Sequence, residues 1–324
     1  MPLNNLVPTP AAKRSLLRRA LPWLVLAALF VWIFARVPFA KVELAWSHVA
    51  IVPFAAWCVV FVLVLIPLDT TIQWFAFSRI HHPMSWRHVF YARAAMVLAN
   101  SLATVAGQAG MGYWLHRQGK VPLKEAASTT LLLLFLEIYS LLVIPTALFF
   151  ILPQFGPRLL MQPSQIGYTM RILVLAWLAF AAAFLFWKKS GPNALQRLAA
   201  RVGLWSSFHR ATWQDWLALL LGKTVIQAVL NGVIVFLLSP AQIRLSALDV
   251  FIYFPLVTVF GSLPITPARF GTTQVGFLLF LGDKVDSAEL IAFSLLWQVL
   301  VNVVRWIIGL CFLPRLLRDL RPPA

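Results

Sequence analysis

The fold class this sequence predicts is an all-α polytopic membrane protein, and three observations predict it. Of 324 residues, 61% are hydrophobic and only 11% are charged, with a mean hydropathy of +0.83, far outside the range of a soluble globular chain. The apolar residues gather into runs, several of which reach the roughly 17–25 residues a helix needs to cross a hydrocarbon core of about 30 Å. With no water there to satisfy backbone N–H and C=O groups, such runs must be helical. The net charge of +17 comes from Lys and Arg residues in the short connectors between runs. That pattern sets membrane topology and excludes a nucleic-acid-binding face.

The runs fall at 21–37, 49–77, 89–106, 126–151, 169–187, 216–238, 249–264, 271–282 and 288–312. Residues 1–20 form a basic tail in which Lys13, Arg14, Arg18 and Arg19 stand just before the first run. No small-residue cleavage site accompanies it, so the run is expected to remain as an anchored first span. Cys58 and Cys311 both lie inside runs, where they behave as small hydrophobes and supply no disulfide or metal framework.

Counting Lys and Arg alone, the basic connectors are the N-terminus, the Arg79/Arg87 loop, the Arg117/Lys120/Lys124 segment, the loop with Lys188, Lys189, Arg197, Arg201 and Arg210, and the tail with Arg315, Arg318 and Arg321. These are expected to face the cytoplasm of a bacterial inner membrane, with both termini inside. The connectors with Arg36 and Lys41, with Arg158 and Arg171, with Arg244, and with Lys284 among Asp283, Asp286 and Glu289 are expected to face away. Segment 89–125 must then begin and end inside, and segment 249–287 must begin and end outside. The arm 271–282, at about 1.5 Å per residue, is too short to cross.

Both segments are interrupted, the first at Gly107, Gly110 and Gly112, the second at Gly261, Pro264, Pro267 and Gly271. Each reads as a broken or re-entrant helix pair. The expected architecture is therefore six full spans plus two broken pairs in one transmembrane domain, 21–312, followed by a basic tail at 313–324. Its halves, about 21–151 and 169–312, enter from opposite faces as an inverted repeat, the architecture of membrane carriers. A faint echo accompanies it: Ser101, Leu102 and Gly110 match Ser262, Leu263 and Gly271, and Lys120, Val121 and Glu125 match Lys284, Val285 and Glu289.

Polar side chains within the runs need a reason, because a charge at the bilayer centre costs at least about 2.5–3.5 kcal/mol on insertion scales. Arg93 and Asn100 share a helical face ahead of Gln108 and Gly110, and Glu137 stands mid-run. Lys223, Gln227 and Asn231 form one stripe, and Gln298, Asn302 and Arg305 another. Arg269 and Gln274 flank the second break, where free N–H groups already favour anions. The blander roles are snorkelling for Arg93, Lys223 and Arg305, and helix–helix bonding for the Asn and Gln residues. Glu137 has no head group in reach and is expected to have a function or a buried partner. Gly222, Lys223 and Thr224 mimic the end of a phosphate loop, but the earlier glycine is replaced by Leu217. His81 and His82, beside Pro83 and Trp86, are expected to anchor at the interface rather than bind metal. No catalytic constellation, cofactor or metal site is expected.

At the two breaks the sequence resembles the transmembrane flippase-like family that also forms the membrane part of lysylphosphatidylglycerol synthases. The resemblance rests on Arg93 with Asn100 before the Gly107–Gly112 stretch, on Glu137, and above all on the Pro264-Ile265-Thr266-Pro267 turn followed by Gly271 and a short apolar arm. It implies a membrane domain that moves lipids between leaflets, lysyl transfer belonging to a separate soluble domain. That domain is not expected here, since Ala324 follows soon after the last run. Where the family usually has two glycines after Pro267 and then a Glu, this chain has Ala268, Arg269 and Gln274; around Glu137, Ile138 and Leu141 replace an Arg and an Asp. The expected function is a lipid carrier whose partner is a membrane lipid with an anionic or phosphate-bearing head group. The alternative is an integral-membrane enzyme or a lipid-binding accessory subunit of envelope lipid or polysaccharide assembly.

Overall fold

The computed structural model describes residues 10–151, 171, 173–178, 206–262 and 266–320. Among them every regular element is helical: α1 Pro10–Arg36, α2 Phe39–Ser47, α3 Ile51–Ile80, α4 Trp86–Leu102, α5 Thr104–Gln118, α6 Leu123–Ile151, α7 Ser206–Arg210, α8 Trp213–Leu238, α9 Ala247–Gly261, α10 Thr272–Leu281 and α11 Ser287–Asp319, with a short 3-10 turn at Pro267–Arg269. Four helices, α3, α6, α8 and α11, are long and apolar enough to cross a membrane. α1 and α2 make a fifth if the pair, bent by 81°, is counted as one span. Most of the expected span at 169–187 lies outside the described residues, as does Pro264.

The first helix begins at Pro10, inside what reads as the basic tail. Proline suits a helix start because its missing N–H is one that has no intrahelical partner anyway. Pro38 then ends the straight run, and the stretch 38–48, expected to be a plain connector, is largely the helix α2. Val42 on α2 packs with Ile33 of α1 and with Val37 just beyond it against Ala288, Ile291 and Ala292 of α11, and Trp46 Nε1 donates to the Ala292 carbonyl at 2.8 Å.

Both interrupted segments fold back on themselves. In the first, Gly119 at the end of α5 lies against Met84 ahead of α4, Gly110 against Met96, and Gly107 against Asn100. The turn, however, is not at the glycines. It is at Ala103, whose extended backbone (φ −157°, ψ 131°) separates α4 from α5, while Gly107, Gly110 and Gly112 sit within α5. Their role is close approach: a Cβ on Gly107 would stand 2.5 Å from that of Asn100. Small residues let helices pack tightly where lipid supplies no hydrophobic drive between them. In the second segment Asp249 pairs with Lys284 at 2.7 Å, Phe254 meets Phe277 with ring centroids 5.2 Å apart, and Gly261 lies against Thr273. The break there runs from Gly261 to Gly271, as the glycines and prolines predict.

The packed interior is mostly apolar, with Phe54, Phe254, Phe277, Phe293 and Trp297 forming one aromatic cluster. Large apolar side chains such as Val52, Val225 and Ile307 point outward on the spans, as expected of surfaces solvated by lipid tails.

His81 caps α3 just beyond the span and is drawn inward rather than left at an interface. Its Nε2 lies 2.7 Å from Thr129 Oγ1 and its Nδ1 4.0 Å from Glu125, which Arg210 also holds. Burial pushes its pKa from 6.5 down to about 4; Glu125 opposes the shift, and the positive charge of Arg210 adds to it. The unfolded chain therefore binds this proton first, and stability falls as pH drops from 6.5 towards 4, by up to about 3 kcal/mol. His81→Gln is expected to flatten the fall in melting temperature between pH 7 and pH 4.5. An unchanged slope would assign that fall to other groups.

Candidate functional site

Asp69 organises the polar interior. It sits on α3 only 4% exposed, and a carboxylate there is tenable only with partners. Its Oδ2 accepts from Arg93 Nε at 2.6 Å and from Gln73 Nε2 at 3.0 Å. Its Oδ1 accepts from Lys223 Nζ at 2.6 Å. One carboxylate thus ties α3 to α4 and α8. Lys223 also donates to Glu137 on α6, at 3.5 Å. Arg93 and Lys223 are turned into the protein and paired, so neither snorkels. Glu137, with 29% of its side chain exposed, is the open member of the cluster.

Beside this cluster lies a cavity of about 140 Å³, bounded by α3, α6, α8 and α11 and by the tips of both hairpins. Asn100 and Ser101 reach it from the first tip, Gly261, Ala268, Arg269 and Thr273 from the second, and Asn302 and Arg305 from α11. Trp306 Nε1 donates to Ser101 Oγ at 2.7 Å and holds the first tip against α11. Four cations line the cavity, Arg93, Lys223, Arg269 and Arg305, against two carboxylates, Asp69 and Glu137. Three of its residues also carry buried N–H donors with no hydrogen-bond partner among the described residues: Arg93 Nη1, Asn231 Nδ2 and Trp297 Nε1. Each such donor costs about 1–3 kcal/mol while unsatisfied. Excess positive charge together with unsatisfied donors suits an anion rich in acceptor oxygens.

The turn presenting Arg269 is conformationally costly. Ala268, Arg269 and Gly271 all have positive φ, at 51°, 63° and 82°, a region that costs a non-glycine residue about 1–2 kcal/mol. Gln274 and Gln298 hold it. Gln274 Oε1 accepts from the Gly271 N–H at 2.7 Å, and its Nε2 donates to Gln298 Oε1 at 3.1 Å; Gln298 Nε2 donates in turn to the Ala268 carbonyl. The Arg269 carbonyl accepts from the hydroxyls of Thr272 and Thr273 at 3.1 and 2.9 Å.

The sequence matches the family described as the lysylphosphatidylglycerol synthase TM region over residues 19–309. The chain belongs to that family. It is a multi-pass membrane protein of a family linked to lipid metabolism. No curated protein matches it. The geometry of the turn explains the two glycines usual in the lysylphosphatidylglycerol synthase TM family: both positions after Pro267 are left-handed, and here Ala268 and Arg269 occupy them. A Glu at position 274, as the resemblance implies, could accept from the Gly271 N–H; Gln274 does so and, as a neutral amide, also donates to Gln298.

Of the residues expected to contact substrate, the structure brings Arg93, Asn100, Glu137, Arg269, Asn302 and Arg305 to the cavity. Pro264 lies outside the described residues, and the other five do not line the cavity. Gln108 is buried on α5, Gly110 packs against Met96, and Thr266 bonds Thr272 at 3.2 Å. Gly271 rests against Leu29 of α1, and Gln274 is wholly buried behind the turn. These four shape the hairpin tips, and Gln108 packs within its hairpin, without reaching the space between them. Lys223, Gln227, Asn231 and Gln298, noticed as stripes, also line the cavity. Asp69, central to the site, has no counterpart among the expected residues.

Proposed function

We propose that this protein is a carrier, not an enzyme, moving a lipid with an anionic or phosphate-bearing head group between the leaflets of the inner membrane. The observation that supports this is the cavity between the two hairpin tips, where cations outnumber carboxylates and buried donors lack acceptors. In this reading Arg269 and Arg305 receive the head group, Asn100 and Asn302 orient it, and Glu137 is the mobile countercharge that yields Lys223 to the incoming anion. The buried Asp69–Arg93–Lys223 cluster holds the helices in place around it. The test is leaflet exchange of labelled phosphatidylglycerol against labelled phosphatidylcholine in liposomes holding the purified protein. Faster exchange of the anionic lipid is expected. Saturable binding without exchange would instead favour a lipid-binding accessory subunit.

The proposed architecture is an inverted repeat with both termini cytoplasmic, supported by the charge asymmetry and by two hairpins whose tips meet at one cavity. Single cysteines at the exposed positions 244 and 283 are expected to react with an impermeant reagent added outside, and one at position 120 only after the membrane is opened. Labelling at position 120 from outside would place the ends of the first hairpin on the wrong face and remove the repeat.

A further inference from the structure

The cavity has two chemically different ends. Asp69, Lys223 and Arg305 mark one. Two helical turns away on the same three helices stand Phe61, Asn231 and Trp297, which at about 1.5 Å per residue is a backbone separation of about 12 Å. The ends are joined across the helices in the same order: Lys223 bonds Asp69 at 2.6 Å, and the Phe61 and Trp297 rings meet at 5.9 Å. Phe61, Asn231 and Trp297 themselves carry no charge. The walls of this end are apolar, Ile234 and Val257 among them, yet Asn231, 3% exposed, and Trp297 each hold there a buried N–H donor with no partner among the described residues.

We infer that this second end is a separate subsite for an uncharged oxygen acceptor carried by the same ligand, set about 12 Å from the group held by the cations. An unsatisfied indole N–H and amide N–H call for a carbonyl or hydroxyl oxygen, and neither donor brings a charge to pair with a second anion. Apolar walls around two donors suit an acceptor attached to a hydrocarbon chain. An ester carbonyl at the head of an acyl chain and a hydroxyl of a substituted head group share this chemistry. The inference rests on the carrier reading only in taking the charged end to hold an anion.

The test uses Trp297→Phe, which removes the indole N–H and keeps a smaller aromatic ring, and Asn231→Leu, which removes the amide at similar volume. Binding to the purified protein in a non-ionic amphipol is measured with four probes: octyl phosphate, ester-linked dihexanoyl phosphatidic acid, its ether-linked analogue, and an octyl glucosyl phosphodiester. Each variant is expected to bind a probe carrying the second acceptor about fivefold more weakly, the worth of one hydrogen bond, and octyl phosphate as well as wild type does. Loss confined to the ester-linked lipid assigns a carbonyl; loss confined to the glucosyl probe assigns a hydroxyl. Without probe, Asn231→Leu is expected to melt no lower than wild type, since it loses a donor that had no partner, whereas Trp297→Phe also gives up ring packing against Phe293 and is expected to melt lower. Equal loss for all four probes, or loss for none, overturns the subsite. Octyl phosphate binding that is insensitive to Arg269→Ala removes Arg269 from the anion site instead, and leaves the comparison of ester with ether lipid to judge the neutral end alone.

Discussion

Asp69→Asn is expected to destabilise the fold by about 3–5 kcal/mol, because it leaves two buried cations without their shared counter-ion. The amide keeps the shape of the side chain and can still accept a hydrogen bond. It cannot offset the charge of Arg93 and Lys223, each now held 2.6 Å from a carboxylate oxygen, and the two then repel each other in a low-dielectric interior. Lys223→Met should cost less. It leaves Asp69 paired with Arg93 and Gln73, and frees Glu137, which is already partly exposed. The order of the two effects is the diagnostic part. Thermal unfolding of the purified proteins, with the folded yield from size exclusion, should rank wild type above Lys223→Met above Asp69→Asn. An Asp69→Asn protein within about 1 kcal/mol of wild type would contradict the view that a buried pair broken on one side is severely destabilised.

Asp69 also marks where reading the sequence stopped short. Polar residues were recognisable as a set when they recurred at helical spacing on one run, as Lys223, Gln227 and Asn231 do. Asp69 is the one charged residue of its run, and its charged partners lie 24 and 154 residues away, so no periodicity connects them. The sign that was available was the charge itself, a lone carboxylate inside an apolar run. The hairpins were legible because loop charges constrain which face a segment must return to, and that constraint does not depend on where it bends. The bend at Ala103 was not legible. Glycine marks both a break and a close helix contact, and Gly107 and Gly110 serve the second purpose against Asn100 and Met96. At Pro267–Gly271 proline and glycine fall together, and the bend lies where they are. The helix α2 escaped notice because nine residues are too few for a span, and the basic Arg36 and Lys41 made the stretch look like a connector.

Arg269→Ala is expected to lower exchange of anionic lipid by about 10–100-fold, the worth of charge-assisted hydrogen bonds of roughly 1.5–3 kcal/mol, while leaving phosphatidylcholine exchange nearly unchanged. The backbone supplies a way to test the role of this side chain. At φ 63° a glycine would be at ease, whereas arginine costs about 1–2 kcal/mol, a cost the hydrogen bonds of the turn can carry but that a glycine would avoid. Arg269→Gly separates the two contributions. It should melt at or above the temperature of wild type and yet lose anionic exchange as fully as Arg269→Ala. Arg269→Lys should recover part of the activity, since an ammonium restores the charge without the planar fork that grips a phosphate. Glu137→Gln is the companion change: with the countercharge gone, anionic lipid should bind more tightly, and release, hence exchange, should slow. If Arg269→Gly is more stable than wild type and exchanges anionic lipid as well, the arginine is a tolerated strain with no part in recognition, and the head group must be sought at Arg305 instead.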